Sequence, residues 1–379
     1  MNLNIFNLII ISGIIQGVVF TLVVLFNKKY KSNTSKYIAF VVLFLSLSNF
    51  QYWLIDIEFA KAYPFLKFLF IPWQWLITPM FFLFLNHYFY EKKADKRLPL
   101  LLFSPFAIVC VLLLIQAILA LSTSYKIPEH FESGFFIYVD YASLLFNLLV
   151  LYLAYKKVNS YKKLQSHKNT TVKRPTDWIL RLIYIGLVVC LVWLSSLCFT
   201  LFYNANSHYL FYATWLGISF LIYWLGYVAL EQLSITKQRE KIRKVIKSES
   251  KPITELSKAS KENPVFSKFK SLIIDDELYL NPGLKLSFIA DLMNISPNYL
   301  SRILNEENAL NFNDFINLHR INRAKELLLN DDFKLYTNNA IGLESGFNSK
   351  STFFYAFKKY TGITPTEYKK KVKNSGIIQ

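Results

Sequence analysis

The chain has 379 residues, of which 53% are hydrophobic and 17% aromatic, and its mean hydropathy is +0.29. This composition excludes an ordinary soluble enzyme. The formal net charge is +18 although only 18% of the residues are charged, so the charges must be concentrated. Residues 1–233 hold 19 Lys/Arg and 9 Asp/Glu, whereas residues 234–379 hold 24 and 16, as is typical of a mildly basic soluble domain.

The first part of the chain contains seven apolar segments that are long enough to cross a bilayer. A hydrocarbon core of about 30 Å needs roughly 20 apolar residues in a helix. The predicted spans are about 5–26, 37–55, 66–90, 98–121, 134–155, 178–202 and 209–232. We therefore predict an all-α protein whose residues 1–233 form a seven-helix transmembrane bundle with the lipid bilayer as a partner.

The basic residues of this half predict its orientation. Cytoplasmic loops carry an excess of Lys and Arg. Of the 19 basic residues in this half, 15 fall in three alternate loops, at 27–36, 91–97 and 156–177. With seven spans, the N-terminus is then outside and the C-terminus cytoplasmic.

Three polar side chains inside the spans are candidates for binding a small ligand. Asp140 is the only acid well inside a span, and Asn147 lies two turns along the same helix face. Gln74 lies between two prolines, where a broken helix can line a pocket. Such residues are costly in a membrane and often functional. The alternative is that the amides only hold helices together.

The sequence predicts no catalytic site, cofactor or metal. The three cysteines lie in apolar runs without metal or redox spacing, and His87 has no partner at metal-ligand spacing. Glycine-rich phosphate-binding loops are absent from the sequence.

Residues 234–264 are predicted to be a basic cytoplasmic linker, helical in its first part. Ile235, Ile242 and Val245 have the spacing of a pairing helix, which makes a homodimer a candidate assembly, although Gln238 interrupts the seam. The alternative is a basic segment that contacts anionic lipid headgroups.

Residues 265–372 contain two helix-turn-helix patterns. In the first, a short helix with Ile289 and Ala290 is followed by a turn and by a helix that Ser296 caps and Pro297 begins. A longer helix follows over about 313–329. In the second pattern, Gly346 makes the turn and Ser349 caps the next helix.

These residues resemble the C-terminal domain of the AraC/XylS family of bacterial transcription regulators over about 105 residues. The resemblance is carried by the segments 298–302, 311–317 and 320–324, and by the segments 346–353 and 357–368. Polytopic membrane segments joined to such a domain also resemble a known subgroup of the family. The implied location is the bacterial inner membrane, and the implied partners are double-stranded DNA and RNA polymerase.

The resemblance implies two recognition helices that enter successive segments of the major groove. Arg302 is suited to guanine and Asn298 to adenine, whereas lysines are suited to phosphate. The predicted DNA-contacting residues are Asn298, Ser301, Arg302, Lys350, Ser351, Tyr355, Lys358 and Lys359.

Two positions depart from the family pattern. Gly342 stands where alanine is usual, which should weaken its helix by up to ~1 kcal/mol. Tyr355 stands where arginine is common, so the second helix should contribute mainly to positioning.

The sequence therefore favours a membrane-embedded regulator whose N-terminal half senses an unknown small ligand or membrane partner. Two alternatives stay open. One is a stored factor that proteolysis within 234–264 releases, and the other is a carrier with a regulatory DNA-binding tail.

Overall fold

The computed structural model describes residues 4–27, 30, 32–59, 63, 65, 68, 70–90, 97–128, 134–167, 176–203, 208–249, 263–308 and 310–374. All regular secondary structure in these ranges is helical. The chain divides into two compact units, and one boundary between them lies between residues 233 and 234, within the last apolar helix. Residues 91–96 and 168–175 of the basic loops, and residues 250–262 of the predicted linker, lie outside the described ranges.

In the described residues, seven α-helices make up the apolar part of the chain. Most of them lack Asp, Glu, Lys and Arg over some twenty positions, so they can remain helical without water. Their bounds are α1 Ile5–Phe26, α2 Asn33–Asp56, α3 Gln74–Tyr90, α4 Arg97–Ser122, α5 Phe135–His167, α6 Asp177–Tyr203 and α7 Tyr212–Glu249.

Six helices in the described ranges are long and apolar enough to cross a membrane, judged by length and composition. The exception is α3, which has 17 residues. The prediction of a helix from residue 66 was wrong for residues 70–73, which are not helical. Pro72 is the physical reason, because a proline disfavours the helical conformation of the residue before it. The count of seven spans stays a prediction.

The outward surface of α4 is apolar along its length. Its buried residues are only Leu102, Val109 and Gln116. Many of its large hydrophobic side chains are exposed, among them Leu100, Leu101, Ile108, Val111, Leu114 and Ile118. Soluble monomers rarely expose a continuous apolar surface of this kind.

The described residues of the second unit form seven further α-helices. They are α8 Pro264–Ile274, α9 Leu286–Met293, α10 Pro297–Asn308, α11 Phe312–Leu329, α12 Asn338–Glu344, α13 Lys350–Thr361 and α14 Pro365–Asn374. One hydrophobic core joins α8, α9, α10 and the start of α11, and a second joins the rest of α11 to α12 and α13. The helix positions expected from the sequence are confirmed here.

The last part of α7, from residue 234 onward, belongs to this second unit. Ile242 is fully buried in the second core, and Val245 packs against that core. Ile235 is also buried. The prediction that these residues form an exposed pairing seam was wrong, because their apolar side chains are already covered within the chain.

Candidate functional site

The first helix-turn-helix consists of α9 and α10. Asn294, between them, has a left-handed backbone with φ of 56°, which turns the chain. The Ser296 hydroxyl then accepts a hydrogen bond from the Tyr299 amide at 3.2 Å and caps α10. Leu300, Ile303 and Leu304 face the core, so the opposite face of α10 is free to meet a ligand.

The predicted contact residues of α10 lie on its outer side. Asn298 and Arg302 are exposed and Ser301 is half-buried. The Arg302 Nε lies 3.7 Å from the Glu306 carboxylate, and its guanidinium lies 5.3 Å from the Tyr299 ring centroid. Both charged side chains of this pair are mostly exposed, so the interaction is weak and leaves Arg302 able to exchange Glu306 for a base edge.

The second helix-turn-helix consists of α12 and α13. Gly346, in the turn, has φ of 96°, and Gly362, after α13, has φ of 78°. Both values lie in the region that glycine adopts without strain. Ser349 and Thr352 form a reciprocal capping box at the start of α13. The expected roles of Gly346 and Ser349 are confirmed.

The predicted contact residues of α13 are all exposed, and they differ in their surroundings. Tyr355 is 75% exposed. Lys350 lies over the Phe354 ring at 5.8 Å. Lys358 and Ser351 point to solvent. The α13 helix therefore presents cations and hydroxyl groups rather than a guanidinium fork.

Lys359 differs from the other lysines because it is bound within the unit. Its ammonium lies 2.7 Å from Asp314 at the start of α11, and the Tyr360 hydroxyl donates to the same carboxylate at 2.7 Å. These two hydrogen bonds, from Lys359 first and Tyr360 second, hold the pKa of Asp314 below its usual value. This cluster joins the end of α13 to α11.

A second connection joins the two helix-turn-helix units on the other side of α11. Arg320 donates hydrogen bonds to the carbonyls of Tyr279 and Asn281, each at 2.7 Å. A Cβ at Gly346 would lie 2.6 Å from the Tyr279 carbonyl oxygen. The turn of the second unit therefore packs directly on the segment before α9, and only glycine fits there.

Gly342 is explained by the side chain that packs on it. A Cβ at this position would lie 2.5 Å from Cγ of Phe353. Phe353 is fully buried, and its ring occupies the space that an alanine methyl group would need. The glycine at position 342, where the family usually has alanine, is thus explained by the ring of Phe353 on α13.

An ionic cluster that no sequence pattern predicted lies between α7 and α12. Glu344 accepts hydrogen bonds from Arg239 at 2.8 Å and from Arg243 at 2.6 Å. The arginines precede their partner by 105 and 101 positions, and local sequence patterns carry no information on such pairs. The only sequence feature that pointed to this cluster was the spacing of Arg239 and Arg243, which are four residues apart on one face of α7.

In the first unit, the structure brings together the three predicted ligand-binding residues. The side-chain amide of Gln74 donates a hydrogen bond to the Asp140 carboxylate at 3.2 Å. The side-chain amide of Asn147 donates a hydrogen bond to the backbone carbonyl of Gln74, also at 3.2 Å. Tyr52 and Thr78, which the sequence analysis missed, extend the group by hydrogen bonds to Asp140 and Asn147. We call these five residues the polar cluster.

Comparisons with known proteins assign the second unit. A family model described as a helix-turn-helix domain matches residues 289–371. An HTH-type transcriptional regulator of Escherichia coli, YijO, is 30% identical over 118 residues, which are 31% of this chain and 40% of that protein. The regulatory protein PocR of Salmonella typhimurium is 27% identical over 112 residues, 30% of this chain and 36% of that protein.

Among solved structures, the C-terminal domain of AraT, a response regulator from Geobacillus stearothermophilus, is 28% identical, with a TM-score of 0.27. The match covers 30% of this chain and 88% of that one. The chain spans less than half the length of the curated relatives it matches. The residues that the family model matches run from within α9 into α14 and so cover most of the first helix-turn-helix and all of the second. We conclude that the C-terminal part of this chain is a DNA-binding helix-turn-helix domain of the AraC type.

Proposed function

We propose that this protein is a membrane-embedded, sequence-specific transcription regulator whose membrane half senses a signal. The observation that carries the proposal is the exposed outer face of α10, where Asn298 and Arg302 lie on a helix of an AraC-type domain. Arg302 can form paired hydrogen bonds to guanine and Asn298 to adenine.

The residues of α13 have a different role in this proposal. Lys350 and Lys358 bind phosphate groups, while Ser351 and Tyr355 contact the backbone or base edges at short range. Lys359 contributes mainly by holding α13 against Asp314, since its ammonium is already engaged. The first recognition helix then supplies most of the sequence selectivity, and Ser301 supports it.

The proposed location is the bacterial inner membrane, with the N-terminus outside and the DNA-binding domain in the cytoplasm. The apolar outer surface of α4 supports contact with lipid, because water would be in unfavourable contact with it. The positive charge of alternate loops supports the orientation. Double-stranded DNA, lipid, RNA polymerase and a small ligand are the proposed partners. A homodimer, if formed, would need a surface other than Ile242 and its neighbours.

The test is chromatin mapping with the intact protein, combined with fractionation of the cells. We expect the full chain in the membrane fraction and enrichment at discrete promoter sites. An antibody to the C-terminus that detects mainly a soluble fragment would instead support release by proteolysis. Uniform recovery of DNA without discrete sites would contradict a sequence-specific regulator.

A further inference from the structure

A cavity of about 120 Å³ lies inside the first unit, among α2, α3, α5, α6 and α7. An engineered cavity of about 150 Å³ in another protein accommodates benzene, so this somewhat smaller cavity limits its occupant to a molecule of about one ring. Most of its wall is apolar and includes Leu45, Ile77, Leu182 and Val189. The wall therefore suits a compact hydrocarbon body.

The polar cluster forms one part of this wall. Tyr52, Gln74 and Asp140 all line the cavity. The Tyr52 hydroxyl and the Gln74 amide both donate to one carboxylate oxygen of Asp140, at 3.4 and 3.2 Å. The carboxylate is 4% exposed as a residue and is thus held in a fixed position facing an apolar chamber.

Two polar atoms in the wall have no hydrogen-bond partner in the described part of the chain. They are Oε1 of Gln74 and Oγ1 of Thr214, and each residue is 4% exposed. Buried polar atoms in folded proteins are nearly always bonded to protein, to water or to a ligand. Because both residues line the same cavity, an occupant of the cavity can satisfy the two atoms together.

We propose that this cavity binds a small molecule with an apolar body of about one ring and an amine group. The Gln74 oxygen and the Asp140 carboxylate can only accept hydrogen bonds, so the polar group of the ligand must donate. A protonated amine also matches the negative charge of Asp140, and acids within membrane segments commonly serve as ligand counter-ions. The inference rests on the proposed sensing role of the membrane half and names the class of ligand.

The test uses the full-length chain in lipid nanodiscs and three ring compounds of similar size. Titration calorimetry with benzylamine, after subtraction of empty nanodiscs, should show saturable binding. Toluene, which lacks the donor, and benzoate, which has the opposite charge, should bind at least tenfold more weakly. Equal affinity for toluene, or no saturable binding of benzylamine, would overturn the proposal and leave water or lipid as the occupant.

Two variants locate the site by independent means. Asp140→Asn keeps the shape but removes the charge, and it should weaken benzylamine binding about tenfold or more. Gly186→Leu fills the cavity without changing the polar cluster, because a Cβ there meets only Leu151, at 3.8 Å, and it should abolish binding. If Asp140→Asn does not fold, Gly186→Leu alone decides, and unchanged affinity in Gly186→Leu would overturn the proposal.

The matched control is Thr21→Val, which removes a buried hydroxyl group of α1 that does not line the cavity. Its benzylamine affinity should equal that of the parent chain. DNA binding measured on the same preparations separates the two proposals. A chain that binds its promoter fragments but no amine contradicts the ligand class alone, whereas a chain that binds the amine but no DNA contradicts the proposed regulator.

Discussion

Arg239 on α7 and Glu344 on α12 form an ion pair in which Nε and Oε2 are 2.8 Å apart, with side chains only 6% and 8% exposed. Arg243 binds the other oxygen of the same carboxylate at 2.6 Å. One carboxylate is thus shared by two cations that lie one helical turn apart. The end of α7 is therefore a structural part of the second helix-turn-helix rather than a free linker.

Replacing Glu344 with glutamine should lower the free energy of unfolding of residues 234–379 by about 3 kcal/mol, because two largely desolvated guanidinium groups lose their shared charge partner. Urea unfolding followed by circular dichroism measures the change. Glu326→Gln is the matched control, since Glu326 pairs with Arg323 at 2.9 Å but is 65% exposed, and it should cost less than about 1 kcal/mol. Equal effects of the two changes would contradict the structural role of Glu344.

Gly342→Ala should destabilise the same fragment by about 1–3 kcal/mol, although alanine is the better helix former. The added methyl group would overlap the Phe353 ring. Adding Phe353→Leu should recover part of the loss, and a double-mutant cycle by urea unfolding measures the coupling. A Gly342→Ala variant that is more stable than the parent would show that helix propensity outweighs this contact.

The sequence predicts local features of the DNA-binding domain well, because turns and caps depend on neighbouring residues. Asn294, Ser349 and Gly362 stand where the backbone requires them. It fails where the reason lies far along the chain. The Phe353 ring that explains Gly342, and the arginines that bind Glu344, are tertiary contacts that no local pattern encodes. In the N-terminal half, composition predicts the helices, but the late start of α3 depends on one proline.

Arg302→Ala should cost about 1–3 kcal/mol of specific DNA binding and relax the base preference at one position. Lys358→Ala should weaken binding evenly across sequences and reduce the salt dependence by about one unit. Titrations of both variants against single-base operator changes at two salt concentrations distinguish the roles. If Lys358→Ala lost base preference while Arg302→Ala lost affinity equally for all sequences, Lys358 would be the base-reading residue and Arg302 the phosphate contact.

The stability of residues 234–379 should fall as the pH is lowered from 7.5 to 5.5. Burial, together with the nearby charge of Lys270, lowers the pKa of His319 below its usual 6.5. The neutral ring is thus favoured in the folded state, and its contribution is present above pH 6.5 and lost as the pH falls through the lowered pKa. His319 is the only histidine in residues 234–379. His319→Gln should therefore make the urea midpoint depend less on pH between 7.5 and 5.5. An unchanged slope would assign the dependence to other groups.

A reporter enzyme fused after residue 165 should be active in the cytoplasm, and one fused after residue 206 should be active outside. The first position lies within the strongly basic loop 156–177, and the segment 203–208 has no Lys or Arg. Activity assays with paired cytoplasmic and external reporters make the comparison. Activity of both fusions in one compartment would contradict the proposed arrangement of α5, α6 and α7.

The contacts of Arg320 and Gly346 with the segment at Tyr279 fix the distance between α10 and α13. They therefore also fix the spacing, along and around the duplex, of the two half-sites that these helices read. One base pair inserted between the two half-sites turns the second by about 34° around the duplex and moves it about 3.4 Å away. Because hydrogen bonds and the close packing of Gly346 hold the two helix-turn-helix units together, α13 cannot follow that rotation. Regulatory sites for this protein should therefore tolerate base changes between the half-sites far better than changes in the length of the spacer.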